Sequence, residues 1–93
     1  MGWEVYVPDR GILIGQRKKL GLSQEEVAKK AGIKLEQYLK YESHDGHFST
    51  SSMRIVNAVL TALELDPTSF AEGKYAFRPV TEDDPLYKSL SQI

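Results

Sequence analysis

The chain has 93 residues, of which 41% are hydrophobic, and this is enough for one small domain with a single core. It has no cysteine, which excludes a disulfide framework and a thiolate metal site. No apolar run approaches the ~20 residues of a membrane span, and the N-terminus lacks the layout of a signal peptide, so we expect a cytoplasmic protein that does not enter a membrane.

The formal net charge of −1 is unevenly distributed along the chain. Residues 10–45 hold eight Lys or Arg against five Asp or Glu, whereas residues 1–9 and 64–93 are both acidic. Because phosphate neutralisation supplies most non-specific affinity for nucleic acid, a basic middle suits a DNA-facing surface. A solvated surface of mixed charge would give a similar pattern.

Both ends of the chain predict short strands. Residues 3–8 (WEVYVP) and residues 74–80 (KYAFRPV) are rich in aromatic and β-branched residues, and a proline limits each of them. The two segments can pair as a ladder beside the helices or across a dimer, or they can be disordered arms, because an isolated two-stranded ribbon is marginal in water. We expect the aromatic residues of these two segments to form the dimer surface, by exchange or pairing of strands. They are Trp3, Tyr6, Tyr75 and Phe77.

The first predicted helix covers about residues 10–20. Asp9 is a suitable N-cap residue, and Gly21 is a suitable residue to end the helix. Leu13, Arg17 and Leu20 fall on one face.

Residues 20–42 (LGLSQEEVAKKAGIKLEQYLKYE) predict two short helices joined by a glycine turn. Ser23 and Glu26 form a capping box, so a helix begins at Gln24. Gly32 can take a positive φ and turn the chain sharply before a second helix begins near Lys34.

These residues resemble the phage-repressor-like helix-turn-helix family, also called the xenobiotic-response-element or Cro/cI-type family. The resemblance rests on Leu20 to Ala28, Ala31-Gly32-Ile33, Tyr38 and Tyr41-Glu42. It covers roughly residues 13–70. The resemblance also implies an ion pair between Arg17 and Glu42 that ties the first helix to the second helix of the motif, which we call the recognition helix.

Two more helices follow the motif. Val56, Val59, Leu60 and Leu63 lie on one helical face with Met53 one turn before, and Asp66 and Pro67 begin a short fifth helix that Phe70 anchors to the core. We therefore predict an all-α, five-helix, repressor-like helix-turn-helix domain with short β-strands at the N- and C-terminal ends. Its parts are an N-terminal arm or strand (1–8), the helix-turn-helix domain (9–73) and a C-terminal strand with an acidic tail (74–93).

The resemblance places base-reading residues on the recognition helix, whose N-terminal part meets base edges in the major groove of double-stranded DNA. The candidates are Lys34, Leu35, Glu36, Gln37 and Lys40. Lysine can donate to guanine, glutamate can accept from cytosine, and leucine can contact a thymine methyl. Candidates for the DNA backbone are Gln24, His44, His47 and Ser49.

The recognition helix departs from a typical reading surface at three positions. Leu35 and Leu39 are apolar at positions expected to be exposed, and Glu36 would face an anionic ligand. This face either selects thymine and cytosine or binds a protein. Tyr38 and Tyr41 are expected in the core rather than against bases, because their positions in the motif are usually aliphatic and buried.

Metal binding and catalysis have little support. His44 and His47 flank Asp45, but a stable metal site needs at least three well-placed ligands and no third is evident nearby. No cofactor is predicted, and no Ser/His/Asp set or paired carboxylates suggest an enzyme.

The resemblance implies a bacterial or phage transcriptional regulator, and we expect a repressor that binds operator DNA as a homodimer. The alternative is a protein-binding module, such as an antitoxin-like subunit, for which DNA binding is secondary or absent and a protein partner is the main ligand.

Overall fold

The protein is described by a computed structural model that covers residues 3–43 and 46–80. Within these residues it has five α-helices and two strands, which confirms the predicted fold class. The elements in chain order are β1 (Trp3–Tyr6), α1 (Asp9–Lys19), α2 (Gln24–Ala31), α3 (Leu35–Tyr41), a short 3-10 helix (Phe48–Thr50), α4 (Met53–Ala62), α5 (Pro67–Ala71) and β2 (Phe77–Val80).

Side-chain caps start three of the helices. At α2 the Ser23 hydroxyl accepts a hydrogen bond from the Glu26 N–H at 3.1 Å, and the Glu26 carboxylate accepts one from the Ser23 N–H at 3.0 Å. This confirms the capping box, and the hydrogen bonds from Ser23 lower the pKa of Glu26. Asp66 caps α5 with Pro67 as its first residue, as predicted. Ser52 caps α4.

The prediction for the start of α1 is wrong by one residue. Pro8 occupies the N-cap position without a side-chain hydrogen bond, and Asp9 is the first residue of the helix. The fixed backbone of Pro8 is extended there, and the carboxylate of Asp9 lies in the first turn, where negative charge suits the helix dipole.

Four helices end in the same hydrogen-bonded motif with a residue of positive φ. Gly21, Gly32 and Gly73 take this position with φ of 70°, 72° and 78°. At the end of α4 the position is held by Glu64, with φ of 58°, and the next N–H, of Leu65, donates to the carbonyl of Leu60 at 2.8 Å. Glu64 is the only non-glycine residue with positive φ in the described part of the chain.

The core lies between α1, α2, α3 and α4. Its buried hydrophobic residues are Leu13, Val27, Ala28, Tyr38, Tyr41, Phe48, Val59, Leu60 and Leu63. The placement of Tyr38 and Tyr41 in the core is therefore confirmed. Phe70 of α5 packs edge-to-face on Phe48 with ring centroids 5.6 Å apart, which anchors α5 as predicted. Met53, expected on the apolar face of α4, is 78% exposed because it is the first residue of the helix and lies beyond the core.

The two strands pair with each other inside the chain. They are antiparallel, with Trp3 opposite Val80 and Tyr6 opposite Phe77. Of the three arrangements expected for the ends, the intramolecular ladder is the one observed, and disordered arms are wrong for residues 3–6 and 77–80. Residues 81–93, the predicted acidic tail, lie outside the described residues.

Candidate nucleic-acid interface

The α2–turn–α3 unit is held at a fixed angle by its glycine corner. Gly32 has a φ of 72°, and the N–H of the next residue, Ile33, donates to the carbonyl of Ala28 at 3.0 Å. Ile33 packs against the buried core. Because both the backbone and this side chain are fixed, α3 leaves the turn in one direction.

One face of α3 is buried and the other is exposed. Tyr38 and Tyr41 point into the core. Among the predicted base-reading residues, Lys34, Glu36 and Lys40 are exposed, whereas Leu35 and Gln37 are half-buried. Leu39, the other apolar residue on this helix, is 39% exposed. The structure thus brings the five candidates together on and beside one short helix.

The predicted ion pair between Arg17 and Glu42 is present and has two parallel hydrogen bonds. The Arg17 Nε and Nη2 atoms donate to the two carboxylate oxygens of Glu42 at 2.7 and 3.1 Å. A third Arg17 nitrogen donates to the carbonyl of Leu22 at 3.1 Å. The Glu42 side chain is only 4% exposed, so this pair joins α1 to the C-terminal end of α3 in a largely water-free setting.

The surroundings of Glu42 shift three pKa values. Burial alone would raise the pKa of Glu42, but hydrogen bonds from Arg17 and Gln24, together with the positive charge of Arg17, outweigh it and leave that pKa below its ordinary value. The hydrogen bond to Glu42 raises the pKa of Arg17. Burial, together with the neighbouring Glu42 carboxylate, raises the pKa of Tyr38. The carboxylate is therefore charged, and the tyrosine neutral, at neutral pH.

Gln24, the predicted backbone clamp, lies at the start of α2 and contacts the same carboxylate. Its Nε2 atom donates to Glu42 at 3.0 Å. Since a side-chain amide carries two N–H groups and a carbonyl, one donor remains for a phosphate. The sequence gives no local signal for this contact, because 18 residues separate the two.

A hydrogen-bonded chain fixes Gln37 on α3. Its Nε2 atom donates to the Tyr41 hydroxyl at 2.9 Å, and the Ser51 hydroxyl donates to the same oxygen at 2.9 Å. Tyr41 itself packs edge-to-face on Phe48 with centroids 5.2 Å apart. The spacing of Gln37 and Tyr41, four residues apart on a helix, could have indicated the first contact.

Two grooves flank α3, one toward each end, and polar side chains line both. Lys34 and Gln37 share the first groove with Arg54 and Ser52 at the start of α4. Lys40 lines the second groove together with Ser43, His47 and Thr50. Arg54 is not among the residues that the sequence analysis assigns to the site, because only the fold brings α4 beside the turn.

Of the remaining backbone candidates, His47 lines the second groove, Ser49 lines a separate cavity beside α4 and α5, and one lies beyond the described residues. His47 and Ser49 are both exposed, and the carbonyl of His47 accepts a hydrogen bond from the Thr50 hydroxyl at 2.9 Å. His44 lies outside the described residues. Among residues 3–43 and 46–80, no group of three or more His, Cys, Asp or Glu could hold a metal ion, and no helix is long and apolar enough to cross a membrane.

Comparison with known proteins identifies the family. No curated protein and no solved structure matches the chain. Residues 15–67, more than half of the chain, match a family described as helix-turn-helix, and this match spans α2, the turn and α3. The chain therefore belongs to the Cro/cI-type helix-turn-helix family, a family of DNA-binding transcription regulators rather than of enzymes.

Proposed function

We propose that the protein is a transcriptional repressor that binds operator DNA as a homodimer, with α3 in the major groove. The observation that carries the proposal is the way in which α3 is fixed to the domain with one face exposed. Its tyrosines are buried, its charged residues are exposed, and the Arg17–Glu42 pair fixes it to α1. A helix held in this way can enter a groove without reorganising the domain.

The exposed side chains of α3 have the chemistry to read base edges. Lys34 and Lys40 can donate to guanine O6 or N7, and Glu36 can accept from cytosine N4. Gln37 keeps one amide N–H and its carbonyl oxygen for an adenine, since only one donor is used by Tyr41. Leu35 can contact a thymine methyl.

Residues around the two grooves are suited to phosphates. Gln24 lies at the N-terminus of α2, where the helix dipole also favours an anion. His47 is exposed in the second groove, Arg54 lines the first, and Ser49 is exposed on the 3-10 helix that follows His47. We add Arg54 to the candidates because its charge lies beside that of Lys34.

A dimer is proposed because one seven-residue reading helix makes too few contacts to specify a site. Two copies related by a two-fold axis would read half-sites about one turn, or roughly 34 Å, apart. Such binding at a promoter blocks transcription, and the protein would act in the cytoplasm, where the operator is accessible.

The double variant Lys34→Ala/Lys40→Ala tests the proposal. We expect weaker DNA binding, a salt dependence flatter by about one unit for each lost phosphate contact, and a relaxed base preference where a base contact is lost. Lys18→Ala/Lys19→Ala removes the same charge from the end of α1 and is the matched control. Equal binding by both double variants at every salt concentration would contradict the role of α3.

A second candidate function is supported by the Leu35–Leu39 face of α3, on which Leu39 is 39% exposed and Leu35 is half-buried. Two apolar side chains one turn apart suit a protein partner, as in an antitoxin-like subunit. Under this alternative, Leu39→Ala abolishes partner capture, and the wild-type protein shows no DNA binding at low salt. DNA binding by the wild type that is lost in Lys34→Ala/Lys40→Ala favours the repressor.

A further inference from the structure

The two outer edges of the β1–β2 ribbon differ in their hydrogen-bonding capacity. The N–H of Val7 donates to the carbonyl of Ala76 at 2.6 Å, one pair beyond Tyr6 and Phe77 in the same register. Antiparallel pairs alternate between hydrogen-bonded and non-hydrogen-bonded pairs. The pair of Glu4 with Pro79 is therefore non-hydrogen-bonded, which agrees with the missing N–H of proline.

Backbone groups of non-hydrogen-bonded pairs point away from the ladder. On β1 these are the N–H and C=O groups of Glu4 and Tyr6, and no strand of the described chain pairs with that edge. On β2 the corresponding residues are Phe77 and Pro79, and Pro79 offers no N–H. The edge along β1 thus keeps all the outward N–H and C=O groups of Glu4 and Tyr6, whereas the edge along β2 lacks one N–H.

The ribbon also has too little packing of its own. A two-stranded ribbon is marginal in water and usually needs more strands or a helix to pack on. The rings of Tyr6 and Phe77 contact each other edge-to-face with centroids 5.7 Å apart, yet they remain 62% and 57% exposed. An additional strand beside β1 would cover part of this surface.

We propose that the open edge of β1 pairs with β1 of a second copy of this chain, antiparallel about a two-fold axis at Val5. The product is a four-stranded sheet in the order β2, β1, β1, β2. The inference rests on the proposed homodimer and names the strand edge and register that form it.

The chemistry of the edge selects this register. Within the described residues of β1 the outward backbone groups belong to Glu4 and Tyr6, so a two-fold pairing of these residues places them opposite each other or opposite themselves. Centring the axis on Glu4 would bring two like charges together, which is unfavourable. Centring it on Tyr6 would place Glu4 opposite Pro8, which has no N–H. Centring it on Val5 pairs Glu4 with Tyr6 of the second copy, and all the outward groups form hydrogen bonds.

The same geometry favours an assembly of two copies. In the four-stranded sheet both outer edges belong to β2. Because proline at position 79 removes one N–H from each outer edge, a further strand would form fewer hydrogen bonds there than at β1, and the two-fold pairing closes the assembly.

A single introduced cysteine tests the register, because the chain has no cysteine of its own. Val5 would face Val5 of the second copy in a non-hydrogen-bonded pair, whose side chains are close enough for a disulfide. We expect Val5→Cys to form a covalent dimer on mild oxidation. Val7→Cys is the matched control, because it lies on the same face and is also half-buried, but its two copies would be about 13 Å apart along the strands.

A proline substitution tests the edge by a separate route. Glu4→Pro removes the outward N–H and leaves the β1–β2 ladder intact, whereas Glu4→Ala removes the same charge and keeps the N–H. Because two hydrogen bonds are lost per dimer, we expect the dimer dissociation constant of Glu4→Pro to be about 30-fold higher than that of Glu4→Ala in sedimentation equilibrium. Circular dichroism would verify that both variants retain their helices.

The outcomes separate this inference from the proposed function. A dimer that cross-links no faster through Val5→Cys than through Val7→Cys overturns the β1 interface and leaves the dimeric repressor standing. A wild-type protein that is monomeric at tens of micromolar overturns both the interface and the proposed homodimer. Preferential cross-linking through Val5→Cys together with weakening by Glu4→Pro supports the inference.

Discussion

Replacing Glu42 by glutamine would leave the Arg17 guanidinium charged and nearly buried without its carboxylate. Breaking one partner of a buried pair costs about 3 to 5 kcal/mol. We expect the lower end of that range, because the Arg17 side chain is 14% exposed and keeps its hydrogen bond to the carbonyl of Leu22. For a domain of this size, about 3 kcal/mol lowers the melting temperature by roughly 12 to 24 °C.

Urea unfolding and thermal melts of Glu42→Gln, Arg17→Met and the double variant Arg17→Met/Glu42→Gln measure this cost. We expect the double variant to be less destabilised than the sum of the single variants, because it strands no charge. The surface pair of Lys74 and Glu72, 3.3 Å apart with side chains more than half exposed, is the control. Glu72→Gln should cost less than about 1 kcal/mol. A loss of unfolding free energy for Glu42→Gln as small as that for Glu72→Gln would contradict the expected penalty for leaving Arg17 without its carboxylate.

Three further predictions concern the positive φ of Glu64, the pH dependence that Glu42 contributes to stability, and the hydroxyl of Tyr41. Glu64→Gly should stabilise the fold by about 1 kcal/mol because glycine relieves the positive φ, and Glu64→Ala, which loses the same charge, should give no gain in urea unfolding. Because the pKa of Glu42 is lowered, its stabilising effect is complete above the ordinary value of 4.5 and is lost as the pH falls through the folded-state pKa. Glu42→Gln should therefore flatten the fall in unfolding free energy at acid pH, and an unchanged slope would contradict this. Tyr41→Phe removes the hydroxyl that accepts the hydrogen bond of Gln37, so the free energy of unfolding should fall by about 1 kcal/mol and base preference should relax at one operator position. An unchanged selected site would argue against a positioning role for that hydroxyl.

Local rules predicted much of the fold. The capping box at Ser23 and Glu26, the glycine turn at Gly32 and the apolar face of α4 depend on residues within one or two turns of each other. The start of α1 was misplaced because Asp9 suits both the N-cap and the first turn, and only the backbone of Pro8 decides between them.

Contacts between distant segments were harder to predict. The Arg17–Glu42 pair came from the family resemblance, and the strand pairing was one of several arrangements that the two ends allowed. The bond from Gln24 to Glu42 and the position of Arg54 beside Lys34 depend on how α1, α3 and α4 pack together. No periodicity or spacing in the sequence predicts these contacts.

Selection of bound duplexes from a random DNA library measures whether α3 reads the bases of an operator. We expect enrichment of a two-fold symmetric site whose half-sites are about 10 base pairs apart centre to centre. We also expect Lys34→Ala/Lys40→Ala to select an altered or degenerate motif. No enriched sequence with the wild-type protein, or the same motif from the wild type and this variant, would contradict base reading by α3.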